Sequence, residues 1–252
     1  MGSFAWRTVA QFPSGEYHGL MRVLQLAFAC HVYAGMTGYD VAYLKLQAAV
    51  SSPPNLASAQ ERAALIKWLN SWGCRQFAKA YHDDASREIG RWFADNSSLL
   101  VKPSQDLADL NDQELEQTEK AFVRLSELFA SERSNGEKKR IRVSIGPTGA
   151  AKILFALRPR SYPPWDIPIR QELQGQGIPV SYKSYLVEAI KELAELRVDC
   201  ARLNLNLQAL PSRLGRPEST LAKIVDEYKW VTVSKNCHSP SVERFQEWAR
   251  WQ

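Results

Sequence analysis

Ser144-Ile145-Gly146-Pro147-Thr148-Gly149-Ala150-Ala151-Lys152, continued through Leu157 to Trp165-Asp166-Ile167-Pro168-Ile169-Arg170, decides how this chain is read. Its order is a tight hairpin turn, a helix, a loop and a second helix that opens at a carboxylate. Gly146 and Gly149, with a proline and a threonine between them, suit a backbone that takes conformations other residues avoid and that approaches a neighbour closely. A helix starting near Pro147 or Thr148 has first amides without partners inside the helix, and these attract an anion. The apolar run Ala150, Ala151, Ile153, Leu154, Phe155, Ala156, Leu157 is able to bury that helix, with Lys152 and Arg158 placed to reach solvent or phosphate.

The charge around this stretch is one-sided. Lys138, Lys139, Arg140 and Arg142 lead into the turn and Lys152, Arg158 and Arg160 follow it, so that seven cations and no acid lie between Lys138 and Arg160. A solvated face is the ordinary explanation of a basic cluster. Its position around an anion-attracting turn speaks equally for nucleic acid. The whole chain of 252 residues carries a formal net charge of only +5, so the asymmetry is local.

Ile145-Gly146-Pro147-Thr148 followed by Ala150, with Asp166 twenty positions after Gly146 and then Ile169-Arg170, resembles the signature of the helix-hairpin-helix (HhH-GPD) DNA glycosylases over roughly residues 141–175. That family carries a Leu-Pro-Gly-Val-Gly hairpin and a catalytic aspartate at about this separation. Here Arg142 and Val143 stand where Leu-Pro is usual, Ser144 replaces the first glycine, and Gly149 replaces a common threonine. Members that also cut the backbone place a lysine where this chain has Thr148. The resemblance therefore implies a monofunctional glycosylase without lyase activity, with Asp166 catalytic and Lys152 a phosphate contact. It implies double-stranded DNA as partner and no cofactor; the phosphates would be held by backbone amides around Gly146, Thr148 and Gly149, with Arg140, Arg142 and Lys152 adding counterion-releasing charge.

The chemistry of such a reaction asks for one well-placed anion. Releasing a nucleobase passes through an oxocarbenium-like state that a carboxylate beneath the sugar stabilises, and the same group orients or deprotonates water. Asp166 before Ile167-Pro168 is also a good helix N-cap, so a purely structural role stands beside the catalytic one. Trp72-Gly73-Cys74-Arg75 is either a packing corner or an aromatic and a cation for a flipped base; Tyr162 and Trp165 either line the same cleft or are packed. Substrate choice then lies in the pocket, and a modified or bulky base is the expected target. Hypermodified cytosine of phage DNA, removed in anti-phage defence, is one such case, and alkylated or deaminated bases come next. The competing class is a non-catalytic DNA-binding protein that uses the hairpin as a phosphate clamp. A metal-dependent nuclease or a restriction accessory subunit finds no acidic pair with a nearby lysine in the sequence.

Composition sets the frame. With 45% hydrophobic and 23% charged residues the chain is an ordinary folded protein. Cys30, Cys74, Cys200 and Cys237 are too dispersed for a zinc ribbon or an iron–sulfur loop, and no metal is expected. Leu20 to Ala34 is broken by Arg22, Gln25 and His31, which makes it a core helix rather than a membrane span or signal; a cytoplasmic monomer off the membrane is expected.

Periodicity predicts a mainly α fold of about ten helices. Residues 1–16, with Phe4, Trp6, Val9 and Phe12, read as an irregular arm. Helices are expected over Tyr17–Tyr33, Tyr39–Val50, Ala59–Asn70 (capped by Ser58, with Glu61 completing a capping box), Gln76–Tyr81, Asp84–Ala94 and Asp112–Glu132, the last ended by Ser134-Asn135-Gly136. Ser184–Leu203, Thr220–Trp230 and Ser241–Trp251 follow, with Phe245, Trp248 and Trp251 expected in the core. Only Lys229–Val233 suggests a strand. By the resemblance, one lobe is a helical bundle over 36–158 ending in the hairpin. The other is assembled from 1–35 and 159–252, with Asp166 at the mouth of the cleft between them.

Overall fold

The computed structural model describes residues 22–134 and 139–251; the expected N-terminal arm, the start of the first helix, Asn135-Gly136 and Lys138 lie outside them. Among the described residues the fold is mainly α: α1 Val23–Met36, α2 Tyr39–Gln47, α3 Ala59–Ser71, α4 His82–Asn96, α5 Asp112–Ser126, then strands β1 Phe129–Ser134 and β2 Arg140–Ser144, followed by α6 Gly146–Leu157, α7 Ile167–Gly175, α8 Tyr182–Arg202, α9 Leu210–Arg213, α10 Leu221–Lys229 and α11 Val242–Ala249. Among them, no helix is long and apolar enough to cross a membrane.

Local chemistry explains most of these boundaries. Ser58 caps α3 by accepting from the Glu61 amide, although the Glu61 carboxylate turns to Asn55 N and Ser51 Oγ rather than closing the expected box. Asn111 and Glu114 make the full reciprocal box at the start of α5. Gln76–Tyr81 is not an α-helix. Only Lys79–Tyr81 forms a 3-10 turn, because the Gln76 side chain and carbonyl are committed to neighbouring segments.

The expected long helix to Glu132 is also corrected. α5 stops at Ser126, and the chain enters an antiparallel pair, with Arg133 opposite Ile141 and Glu132 opposite Arg142. Arg140-Ile141-Arg142-Val143-Ser144 alternates polar and apolar, the pattern of a strand. β1 bulges between Phe129 and Ser131, which lets Ala130 and Ser131 both be buried. The turn before α6 is therefore approached from a strand, while α5 and α6 still pack directly on each other.

α6 is the centre of the core: every residue from Gly149 to Leu157 is buried, against α5 and α3 among others. α10 is buried from Leu221 to Glu227 and is extended by a π-helical turn over Trp230–Ser234, so the expected strand there is helical. α11 departs from expectation in the other direction. Phe245, Trp248 and Trp251 form an edge-packed row, but Trp251 is 74% exposed and Trp248 is exposed too, so this row is surface and not core.

Candidate functional site

Asp166 occupies the N-cap position of α7, yet its side chain makes no capping hydrogen bond. Instead Oδ1 lies 3.2 Å from Lys152 Nζ. The lysine side chain is only 8% exposed and the aspartate 24%, so an ammonium inside the core meets a carboxylate at the surface. Lys152 Nζ also donates to the Trp72 carbonyl at 2.8 Å and sits 5.7 Å from the Trp72 ring centroid. Lys152 is therefore not the exposed phosphate contact that its place in the sequence suggested. A lysine midway along a helix buried on all sides has no route outward, and its stem follows the core to the Asp166 carboxylate.

The two helix starts that frame this pair are locked together. Gly146 takes φ +68°, the conformation that suits glycine. Gly149 leaves room for a neighbour: a Cβ there would stand 2.7 Å from Gln76 Nε2 and 2.8 Å from Ile145 Cγ2. Gln76 Nε2 donates to the Ile145 carbonyl at 2.6 Å, and Ser131 Oγ donates to the Gln76 carbonyl, which ties the 72–77 loop to both β1 and the head of α6. Thr148 Oγ1 accepts from Arg170 at 3.1 Å and donates to the Trp165 carbonyl, so its hydroxyl joins α6 to α7. The phosphate contact expected of Thr148 is through its backbone amide, and these hydroxyl bonds leave that expectation as it was.

The aromatic candidates are in the core. Trp72 is buried among Tyr39, Tyr43, Trp68 and Phe155, stacked on the last at 5.7 Å, and its indole N–H donates to the Tyr39 carbonyl. Tyr162 is fully buried, bonded to Thr118 Oγ1 and the Val101 amide. Trp165 is buried against Phe122, Tyr182 and Tyr185. Neither Tyr162 nor Trp165 lines an open cleft, because their rings fill the space over α5 and α8. Trp72 touches the site through its carbonyl and ring face, whereas its neighbour Arg75 is exposed.

Cations divide in the same way. Arg140 and Arg142 are exposed on β2, where Arg142 donates to the Glu127 carbonyl and Arg140 stands 3.5 Å from Glu132. Lys139, Arg133 and Arg75 are exposed as well, although Arg133, opposite Ile141, lies on the other face of the hairpin from Arg140 and Arg142. Arg158, expected beside phosphate, is half-buried and donates to the Val101 and Leu157 carbonyls. Burial lowers its pKa.

A second charged group, which the sequence reading passed over, lies on α10. Lys223, Asp226 and Glu227 are all buried: Lys223 Nζ is 3.1 Å from Asp226 Oδ2 and 3.4 Å from Glu227 Oε1. Arg216 completes the set by pairing with Glu227 at 2.8 Å and with Asp40. Burial raises the Asp226 carboxyl to about 6 against the pull of Lys223; Asp166 adds to the rise and Lys152 opposes it. Cys74 feels both of the latter as well, its thiol pushed up to about 11 chiefly by burial. The one available signal was Leu-Ala-Lys-Ile-Val-Asp-Glu, where charges interrupt an apolar helix with no free face. A cavity of about 230 Å³ borders this group, with Tyr43, Gln47, Arg216 and Lys223 in its walls; Asp166 is not among the lining residues. Among the described residues, no three His, Cys, Asp or Glu side chains gather to hold a metal.

Comparison with known proteins finds no matching protein family, no similar curated protein and no similar solved structure.

Proposed function

We propose that this chain is a DNA glycosylase of two-lobed helix-hairpin-helix type that takes an extruded, modified base and hydrolyses its N-glycosyl bond at Asp166, leaving an abasic site. The observation that carries the reading is the state of Asp166: a carboxylate at a helix start, twenty positions after Gly146, that does no capping and is instead paired with a buried lysine. Capping alone no longer accounts for an aspartate here. Salt-bridged but still partly open to solvent, it is held at a fixed position where a sugar could meet its charge. Lys152 holds it there, and Thr148 with Arg170 fixes the helix start that carries it. The exposed arginines of β2 supply sequence-independent attraction for the phosphate backbone.

In the reaction the bond from the sugar to the base nitrogen breaks with its electrons leaving on the base. The sugar becomes cationic opposite Asp166, and water adds to it, losing a proton to the carboxylate or to solvent. Flipping costs a few kcal/mol and costs least for a base that pairs poorly, which favours a modified base; hypermodified phage cytosine is the class we place first.

The test is abasic-site formation, read with an aldehyde-reactive probe on plain, deaminated, alkylated and hypermodified phage DNA. Asp166→Asn should lose about 10²–10³-fold in rate on the one responsive substrate, the scale of removing a main electrostatic stabiliser, with DNA affinity nearly unchanged. Wild-type rates in the variant would remove Asp166 from the chemistry. Salt-dependent binding with no abasic site on any substrate would leave a non-catalytic phosphate clamp. A borohydride-trapped adduct that disappears in Lys152→Met would make the lysine the nucleophile instead.

A further inference from the structure

We infer that Asp226, held by Lys223, is a positioning residue for the Lys152–Asp166 pair, and that the two lysine–aspartate pairs work as one electrostatic unit built around the Trp72 indole. The inference deepens the proposed function and rests on it for its activity arm only.

Geometry supplies the first support. Lys152 Nζ is 5.7 Å and Lys223 Nζ 5.6 Å from the centroid of the same buried indole. Each ammonium has its own aspartate, at 3.2 Å in one case and 3.1 Å in the other. Two cations against one ring repel, and each is tolerable only with its counter-ion in place. The second support is burial. Lys223, Asp226 and Glu227 are sealed from water, where charges interact far more strongly than at a surface and salt screens them little. A stability role alone is a weak reason for such a cluster, because buried ion pairs replaced by packed apolar groups are often no less stable.

The third support is that Asp226 responds to both members of the other pair, Asp166 disfavouring its charge and Lys152 favouring it. Every neighbouring element contributes to that environment. Lys223 acts on Asp226 from α10 and Tyr33 interacts with it from α1, while Glu227 and Asp40 act through Lys223 and Arg216 through Glu227. Tyr182 and Tyr185 from α8 sense Asp226 in turn, each held neutral by burial first. Asp226 neutralises the second ammonium on the Trp72 ring, which limits the repulsion between Lys223 and Lys152 and so helps to keep the Lys152 ammonium in place against Asp166.

Carboxyl-¹³C aspartate labelling followed by NMR titration of the full chain tests this without any substrate. Asp226 should titrate near pH 6 in the wild type, shift to lower pH by about half a unit or more in Asp166→Asn, and shift to higher pH in Lys152→Met. An Asp226 midpoint unmoved in both variants overturns the inference. These two variants leave Asp226 in place, so the readout survives even if Asp226→Asn fails to fold. On a responsive DNA substrate, Asp226→Asn should lower kcat and displace the acid limb of the pH profile while KM stays put, with Asp226→Glu restoring part of the rate. Coupling in the NMR with an unchanged pH profile and kcat in Asp226→Asn would overturn the positioning role. Absence of abasic sites on all DNA would sink the glycosylase reading and leave the NMR result to judge the coupled unit.

Discussion

Lys152–Asp166 and Lys223–Asp226 are the same two residue types at nearly the same separation, yet they are built in opposite ways. The second pair lies within one turn of α10, three residues apart, and both members are sealed from water. The first joins the middle of α6 to the start of α7, fourteen positions on, and leaves its aspartate a quarter exposed. A helix holds an i, i+3 pair in register by itself, so such a pair can be buried whole. A pair that spans two elements depends on everything that fixes those elements, here Thr148, Arg170, Gln76 and the space left at Gly149. The difference separates a group able to meet a substrate from one able only to act through its neighbours.

Removing the lysines should expose that difference most sharply. Lys223→Met leaves Asp226 in the interior without its ion-pair partner and Glu227 with Arg216, and is expected to destabilise the fold by about 3–5 kcal/mol, the usual cost of stranding a buried charge. Lys152→Met strands a carboxylate that can turn to water, so about 1–3 kcal/mol is expected. Urea unfolding of the two variants side by side measures both. Equal losses would mean that the exposure of Asp166 does nothing for its charge, and the contrast would fail.

The pH dependence of stability sharpens the same point. Asp226 has a folded pKa of about 6 against an ordinary 3.8, so the folded state binds its proton more tightly than the unfolded chain does. Its contribution is therefore fully present below pH 3.8 and is lost as pH rises through 6. Relative to Asp226→Asn, the wild type should lose about 2 kcal/mol between pH 4 and pH 7, read as a fall in its Tm against that of the variant. A wild-type Tm that rises against the variant over that range would show that Lys223 outweighs burial at this site.

The sequence made one half of this arrangement legible and hid the other. Ser58 caps the helix that follows, as a short polar residue before an apolar period should, whereas the cap at Ser181 lies three positions before the expected start of α8. Asp166 stood out because a turn with two glycines and a proline lay at a fixed distance before it. Its partner did not, because Lys152 in an apolar helix reads as a surface cation until the burial of every neighbouring position is known. Asp226 was less legible still: its role depends on Trp72, more than 150 residues earlier in the chain, and no local pattern encodes that contact. The β-hairpin was missed for another reason. Arg140 to Ser144 alternates clearly enough, but Phe129-Ala-Ser-Glu-Arg-Ser carries a bulge that breaks its period and lets it pass for the end of α5. The row of Phe245, Trp248 and Trp251 shows the converse, since a helical aromatic period marks a face without saying whether anything covers it.

Exposure sorts the arginines as it sorts the aspartates, and the effect there should be the smallest and the most specific. Arg142 reaches solvent from β2, and Arg140 stands beside it with one weak partner in Glu132. Arg158, only sixteen positions on, is turned inward to the Val101 carbonyl. If the basic hairpin meets the phosphate backbone, each exposed arginine releases about one counterion, so Arg140→Ala and Arg142→Ala should each reduce the salt slope of DNA affinity by about 1. Arg158→Ala should leave the slope unchanged and act on thermal stability instead, because its guanidinium is committed to the Val101 and Leu157 carbonyls. A salt slope that falls equally for all three would mean that phosphate attraction comes from the net field of the chain and not from the hairpin. The DNA path would then have to be sought elsewhere than across β2 toward Asp166.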